Sequence, residues 1–328
     1  MTGRKFAGAL PGLVLACAFL WLLLRQVAFD ELKAAFAAAN APLVLAALAA
    51  FCVGYTGRIE RWRLMLMTDN PELHWRNCAG PFLASVAANN VVPLRAGDVM
   101  RAFAFNARLQ VGAATAVSTL LVERLLDLLM TATLLGLGLA WFGIDSSRLI
   151  GVGAAAVIAA ALVILFVLLR PSVFRPPALA LGRFASRTFP KIGPGVARGI
   201  DKAFTALGRM ARGSTMTKLV AWSAFAWIAE GLVFWFAACA LPGIGEPLGA
   251  WLALPVGTLA TVIPSTPGYA GTFDFFTARA MTTSGNAAAA AAAFALLVHV
   301  LLWLPPTIAG GIYLLLHPLA RIEKPDGA

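Results

Sequence analysis

Six stretches without a single Asp, Glu, Lys or Arg dominate this chain: residues 6 to 24, 34 to 57, 128 to 144, 149 to 169, 247 to 273 and 280 to 320. A helix crossing a bilayer needs about 20 predominantly apolar residues, and in hydrocarbon its backbone groups must bond to one another. Few folds are open to a chain with so many windows of this kind. Residues 217 to 240 add a crossing despite Glu230, and six crossings are expected in all. Only 12% of residues are charged and 60% are hydrophobic, about half the charge of an ordinary soluble domain. The longest loop, 170 to 216, is too short and too basic to form a core. Residues 6 to 24 are read as a retained first helix, because further spans follow and no convincing cleavage site does.

Two segments, one in each half of the chain, carry the same interruption. Val91-Val92-Pro93 is followed, after three intervening residues, by Gly97, and Val262-Ile263-Pro264 likewise by Gly268, at an offset of 171 residues. Proline removes a backbone donor and glycine permits positive φ, so a helix meeting this frame must stop and turn. Each half then contains the same order: a span, a second span, a broken hairpin with a short helix leaving it, and a long helix. These are residues 6 to 24, 41 to 57, 78 to 109 and 112 to 142 in the first half, and 150 to 169, 217 to 240, 249 to 283 and 286 to 316 in the second. Three crossings per half is an odd number. The expected fold is therefore an all-α polytopic membrane protein of two inverted repeats, 1–144 and 145–328, with opposed re-entrant broken-helix hairpins at 78–110 and 249–283.

Lysine and arginine set the orientation once both hairpins return to the side they entered. Of the 26 basic residues, 21 then fall on one side, Arg25, Lys33, Arg148 and Arg279 fall on the other, and Arg124 lies within a span. By the positive-inside rule both termini are cytoplasmic, in a bacterial inner membrane. The net charge of +11 belongs to a surface facing anionic lipid, and nucleic acid is not an expected partner. Within the basic loop, Val196, Ile200, Ala203, Phe204, Leu207 and Met210 mark one face of a helix and Arg198, Lys202, Arg209 and Arg212 another. Such a helix would lie on lipid, although a basic loop obeying the positive-inside rule explains the charges equally well.

Glu123, Arg124 and Asp127 are the strongest candidates for chemistry. A charged residue at the centre of a span costs about 2.5 to 3.5 kcal/mol on insertion scales, so the three must pair or face a polar cavity. Arg124 is spaced to pair with Asp127, and Glu230 is an alternative partner; a buried network that only pins helix packing remains the plainer reading. Around the first break, Asn89 and Asn90 can bond backbone groups freed by Pro93. Arg95 and Arg101 beside a new helix N-terminus after Gly97 suit an anionic headgroup. Alternatively Asp98 caps that helix, Arg101 pairs with it and Arg95 snorkels. At the second break, Pro264, Pro267, Gly268 and Gly271 shape the turn, Thr272 is the expected N-cap, and Asp274 sits in the first turn with no cation before Arg279. His299 is assigned no role.

The four cysteines are dispersed among apolar residues and read as small hydrophobes. No phosphate-binding loop, nucleophile elbow, dinucleotide fingerprint or metal-spaced Cys/His set occurs. No cofactor, metal or catalytic residue is expected.

In Asn90-x-x-Pro93-x-Arg95-x-Gly97-Asp98-x-x-Arg101, Glu123-Arg124-x-x-Asp127 and Pro264-x-x-Pro267-Gly268-x-x-Gly271-x-x-Asp274 the chain resembles the transmembrane region of lysylphosphatidylglycerol synthase/flippase proteins. The family often has Glu at the positions of Asp98 and Asp274, and the soluble aminoacyl-transferring domain of its two-part members has no counterpart here. The resemblance implies translocation of an anionic phospholipid or polyprenyl-type lipid rather than synthase activity. Arg95 and Arg101 would receive the headgroup, Glu123, Arg124, Asp127 and Glu230 would line the route, and the hairpins would act as gates. The alternatives are a non-flipping scaffold that presents lipid to a separate lipid-modifying enzyme, and a small-solute transporter.

Overall fold

The computed structural model describes Trp21 and residues 29–92, 95–143, 154–190, 193–211, 214–263 and 266–317. The first expected span, apart from Trp21, and both chain termini lie outside these residues. Among the described residues there is no strand. A short helix α1 (Phe29–Ala37) leads into α2 (Ala41–Leu66), where Asn40 accepts the Leu43 backbone N–H at 3.2 Å and so caps the helix. The expected boundary at residue 57 is corrected: α2 runs on to Leu66. No glycine or proline interrupts residues 58 to 66, and Trp62, Met65 and Leu66 are buried. Arg58 and Arg61 are therefore helical, one turn apart.

The first broken hairpin consists of α3 (Trp75–Val91), α4 (Ala96–Phe103) and a single turn α5 (Asn106–Leu109). Val92 is extended (φ −102°, ψ 132°), as residues before proline tend to be. Pro93 itself lies outside the described residues. Arg95 is left-handed (φ 53°, ψ 44°), and α4 starts at Ala96, one residue ahead of Gly97. Helix α6 (Ala113–Phe142) follows and stops at Gly143, whose φ of 57° provides a left-handed terminus.

The expected span at 150–169 appears as α7 (Ala154–Leu169), its first residues being outside the described set. The 170–216 segment differs from the expected loop: it holds α8 (Pro171–Thr188), bent 92° from α7, and α9 (Gly193–Met210). The expected lipid-facing stripe of α9 is also corrected, since Leu207 and Met210 are buried in a protein core and Ala197 packs against Gly182 of α8. Helix α10 (Thr215–Ala240) precedes the second hairpin, which contains α11 (Ala250–Ala260), a 3-10 turn (Pro267–Tyr269) and α12 (Thr272–Thr283). Pro264 is outside the described residues. Gly268, Tyr269 and Gly271 have φ of 73°, 61° and 86°. Gly271, not Thr272, is the N-cap of α12, and its N–H donates to Asp274 Oδ2 at 2.8 Å. The last helix is α13 (Ala288–Leu316).

Four helices, α2, α6, α10 and α13, are long and apolar enough to cross a bilayer, and the bent α7–α8 pair passes the same test jointly. Helices α2 and α10 make the most extensive contact, with Gly54 against Ala229. Helix α3 lies on α13 at a small-residue crossing, where a Cβ on Gly310 would stand 2.1 Å from the Leu83 carbonyl oxygen. Gly310→Val should therefore lower the thermal midpoint in detergent by an amount equivalent to about 1–3 kcal/mol. Gly311→Val, where nothing lies within 4 Å, should be near neutral. Equal effects would mean that the crossing does not limit packing.

Two apolar clusters result. One joins α10 to α13 with parts of α2 and α6; the other joins the far end of α2 to α3, α5, α6, α9 and the start of α10. Tyr55 and Met130 touch both, and the charged residues of the spans collect around this junction.

Candidate functional site

A cavity of about 230 Å³ opens at the junction, walled by Phe51, Gly54, Tyr55, Phe82, Val86, Val233 and Leu302 on its apolar side. Its polar side carries Arg58, Asn89, Asp98, Arg101, Glu123, Arg124, Asp127 and Glu230. Five helices supply these groups: α2 gives Arg58, α3 Asn89, α4 Asp98 and Arg101, α6 Glu123, Arg124 and Asp127, and α10 Glu230.

The deepest member is Arg61 on α2, fully buried behind the cavity. Its Nη1 lies 2.8 Å from Asp127 Oδ1 and 3.0 Å from Ser223 Oγ, and its Nη2 lies 3.4 Å from Glu123 Oε1. Trp227 Nε1 donates to the same Asp127 oxygen at 3.2 Å. Glu123 is shared, since Arg101 Nη2 reaches Oε2 at 2.7 Å. The Arg101 guanidinium sits 5.0 Å from the Phe82 ring centroid and 5.4 Å from that of Trp62, which shields it from water. Arg58 is ion-paired with Glu230. With Arg124 on Asp98 at 3.1 Å, four arginines meet four carboxylates. This balance leaves none of the eight charges without a counter-ion, which offsets part of the cost of taking them out of water.

The pairing differs from the sequence expectation. Arg124 meets Asp98 on α4 rather than Asp127 or Glu230, and Arg101 meets Glu123 rather than Asp98. Asn89 forms a reciprocal pair with Asp98: its Oδ1 accepts the Asp98 N–H at 3.1 Å and its Nδ2 donates to Oδ1 at 2.9 Å. The N-terminus of α4 is thereby partly satisfied by a side chain. Asn90 turns the other way, donating to Thr307 Oγ1 at 2.8 Å on α13.

The charges divide by exposure. Arg61 and Arg101 side chains are 1% and 3% exposed, whereas Arg124 and Arg95 are 41% and 39% exposed. Both exposed arginines converge on Asp98, Arg95 Nη1 at 4.0 Å. Arg95 Nε also donates to Tyr269 Oη at 2.9 Å, joining the breaks of the two hairpins. At the second break, Asp274 is buried against His299 Nδ1 at 2.7 Å. Pro267, Gly268 and Gly271 belong to this turn, away from the cavity wall.

Three participants were not found by sequence reasoning. Arg58 and Arg61 were counted with the topology-setting cations, although the glycine pair Gly54 and Gly57 ahead of them and the apolar run behind them were available signals of a continuing helix. Tyr269 carried no signal beyond its place between two glycines.

A family model described as the lysylphosphatidylglycerol synthase transmembrane region matches residues 10–310. The chain belongs to this family. The match encloses every charged residue of the cavity and both hairpin breaks. The chain is also 28% identical over 335 residues to glycosyltransferase AglD of Haloferax volcanii, across 92% of the chain and 53% of that protein. It thus spans about half the length of that relative. In this family member the charged groups of the cavity come from five helices, and Leu302 of α13 adds to its apolar wall.

Proposed function

We propose that this protein is a lipid translocase that moves an anionic phospholipid or polyprenyl-type lipid between the leaflets of a bacterial inner membrane, with both termini cytoplasmic. The observation that carries the reading is the pair of half-exposed guanidiniums, Arg95 and Arg124, converging on one carboxylate at the mouth of a half-apolar cavity. Arg124 makes one ion pair, with Asp98, and Arg95 reaches that carboxylate only at 4.0 Å, so both retain donors for a phosphate. Arg101, locked on Glu123 beneath two aromatic rings, acts as support for the site. The remaining charges, Glu123, Asp127 and Glu230 with their arginines, line the route, and the apolar wall accommodates the acyl or prenyl chain.

In this reading the halves 1–144 and 145–328 are inverted repeats, and the segments 78–110 and 249–283 are re-entrant hairpins entering from opposite faces. Three features support it: each segment is a helix, a break and a helix; each break holds a non-glycine residue in the left-handed region; and the breaks meet through Arg95 and Tyr269. The hairpins then act as gates. No catalysis is assigned to the chain.

Leaflet exchange of labelled phosphatidylglycerol in proteoliposomes tests the proposal. Wild type should accelerate exchange over protein-free vesicles. Arg95→Gln and Arg124→Gln should each slow it roughly tenfold or more, the scale of a lost charged hydrogen bond of about 1.5–3 kcal/mol. Thr266→Gln, whose hydroxyl donates to the Ala270 carbonyl, should change it little. Unchanged exchange in both arginine variants would sink the assignment of the headgroup site. A second reading, favoured by the similarity to the Haloferax volcanii glycosyltransferase, is a scaffold that presents lipid to a separate transferase. Lipid retained by the purified protein without any acceleration of exchange would select it.

A further inference from the structure

The α8–α9 pair carries a feature that the cavity does not use. Helix α8 leaves α7 at 92° immediately after Arg170, with Pro171 as its first residue and Phe166 packed edge-on against Phe174 at 5.8 Å across the corner. A helix that turns through a right angle from a membrane-crossing helix runs along the membrane plane. One side of α8 packs on α9 at Gly182, and α9 in turn buries Leu207 and Met210 in the protein. The opposite side of α8 is apolar and uncovered: Val173, Leu181 and Phe184 are 55%, 64% and 65% exposed, and Pro177 and Ala180 lie between them on the same stripe. A contiguous apolar stripe on one face of a helix, left bare by the fold, is the mark of a surface that meets another apolar phase.

Charge identifies that phase. Helices α8 and α9 together carry Arg175, Arg183, Arg187, Arg198, Lys202 and Arg209 against one acid, Asp201, for a net +5. At 100° per residue, Arg183 and Arg187 fall on the edge of the apolar stripe and Arg175 on the far side of the polar flank. Arg175 is ion-paired with Asp201 and Arg209 with Asp69, so Arg183 and Arg187 carry the charge of the rim beside the stripe. An anionic bilayer offers both complements at once, acyl chains for the stripe and phosphates for the rim.

We propose that α8 is an interfacial helix, seated in the headgroup–acyl boundary of an anionic leaflet through Val173, Leu181 and Phe184 and held there by Arg183 and Arg187. Helix α9 is the strut that joins it to the protein core. The sequence pattern offers α9 as a helix on lipid, with a plain basic loop as the equal alternative. The seating of α8 also stands apart from the translocase reading, because it concerns an anchoring surface outside the cavity.

Single cysteines for nitroxide labelling at 173, 181, 184, 198 and 202, in the full-length protein freed of native cysteines and reconstituted in phosphatidylglycerol-containing vesicles, test the seating. Labels at 181 and 184 should collide with oxygen in preference to a water-soluble nickel chelate, and labels at 198 and 202 should do the reverse. Equal nickel access at all five would overturn the proposal, as would dipolar broadening between labels at 184, which would make the stripe a contact between copies. Native mass spectrometry tests the rim. The preference for retained phosphatidylglycerol over phosphatidylcholine should fall about fivefold for each of Arg183→Gln and Arg187→Gln, the scale of one cation near an anionic surface. An unchanged preference in the double variant would remove the anionic part of the proposal. Because neither readout involves lipid exchange, failure here leaves the cavity assignment standing, and the converse also holds.

Discussion

Arg61→Met should be the most damaging single substitution in the spans, costing about 3–5 kcal/mol of stability. Arg61 is fully buried and is the only arginine that contacts both Asp127 and Glu123 among the described residues. Methionine fills much of the volume, so the loss is electrostatic: two carboxylates remain in a low-dielectric site with reduced compensation. A cost of that size is a large part of the 5–15 kcal/mol that holds most domains folded. Thermal unfolding in detergent should show a steep drop in midpoint. Adding Asp127→Asn should recover part of it, because the stranded charge is removed. Arg58→Met offers the comparison, since the Arg58–Glu230 pair is 18% and 19% exposed and water can solvate what remains. A midpoint for Arg61→Met equal to that of Arg58→Met would show that burial does not set the cost.

The fold was legible where periodicity and breakers act locally. The long apolar windows gave α2, α6 and α13, residues 217 to 240 gave α10 despite Glu230, and the two proline frames gave separate helices on either side of each break. Glu123, Arg124 and Asp127 were legible as a cluster because three charges in one span demand partners. Who those partners are was not legible. Spacing along one helix favoured Arg124 with Asp127, but the i,i+3 contact is worth only a few tenths of a kcal/mol and competes with better geometry across helices. Asp98 and Arg61 won on that account. Arg58 and Arg61 were hidden for a different reason: an arginine just past an apolar window reads the same whether it halts a span in the headgroups or continues a helix into a polar core. The apolar face of α9 was likewise correct as a pattern and wrong as to its partner, because amphipathicity does not distinguish a lipid surface from a neighbouring helix.

Gly97→Ala carries the second large effect. A Cβ at that position would stand 1.8 Å from the Ser85 carbonyl oxygen and 2.8 Å from its carbon, both backbone atoms of α3 that no rotamer change can move. The first turn of α4 would have to lift off α3, and Asp98 and Arg101 would travel with it. Overpacking of this kind costs about 1–3 kcal/mol or more. The larger consequence is positional, since the Asn89–Asp98 and Arg101–Glu123 contacts would both be lost. We expect destabilisation together with loss of leaflet exchange. Gly199→Ala on α9, where nothing lies within 4 Å, should leave both unchanged. If Gly97→Ala kept full exchange and a normal midpoint, the close seating of α4 on α3 would be irrelevant to the site.

Arg95 and Tyr269 each adopt a backbone conformation that L-residues avoid, at a cost of order 1–3 kcal/mol apiece, and each is the other's hydrogen-bond partner. Neither tip would choose its shape alone. The conformational preferences of two segments 174 residues apart are therefore tied at a single contact. Relaxing one backbone withdraws a side chain that helps hold the other, so a change at either break reaches the other through this contact.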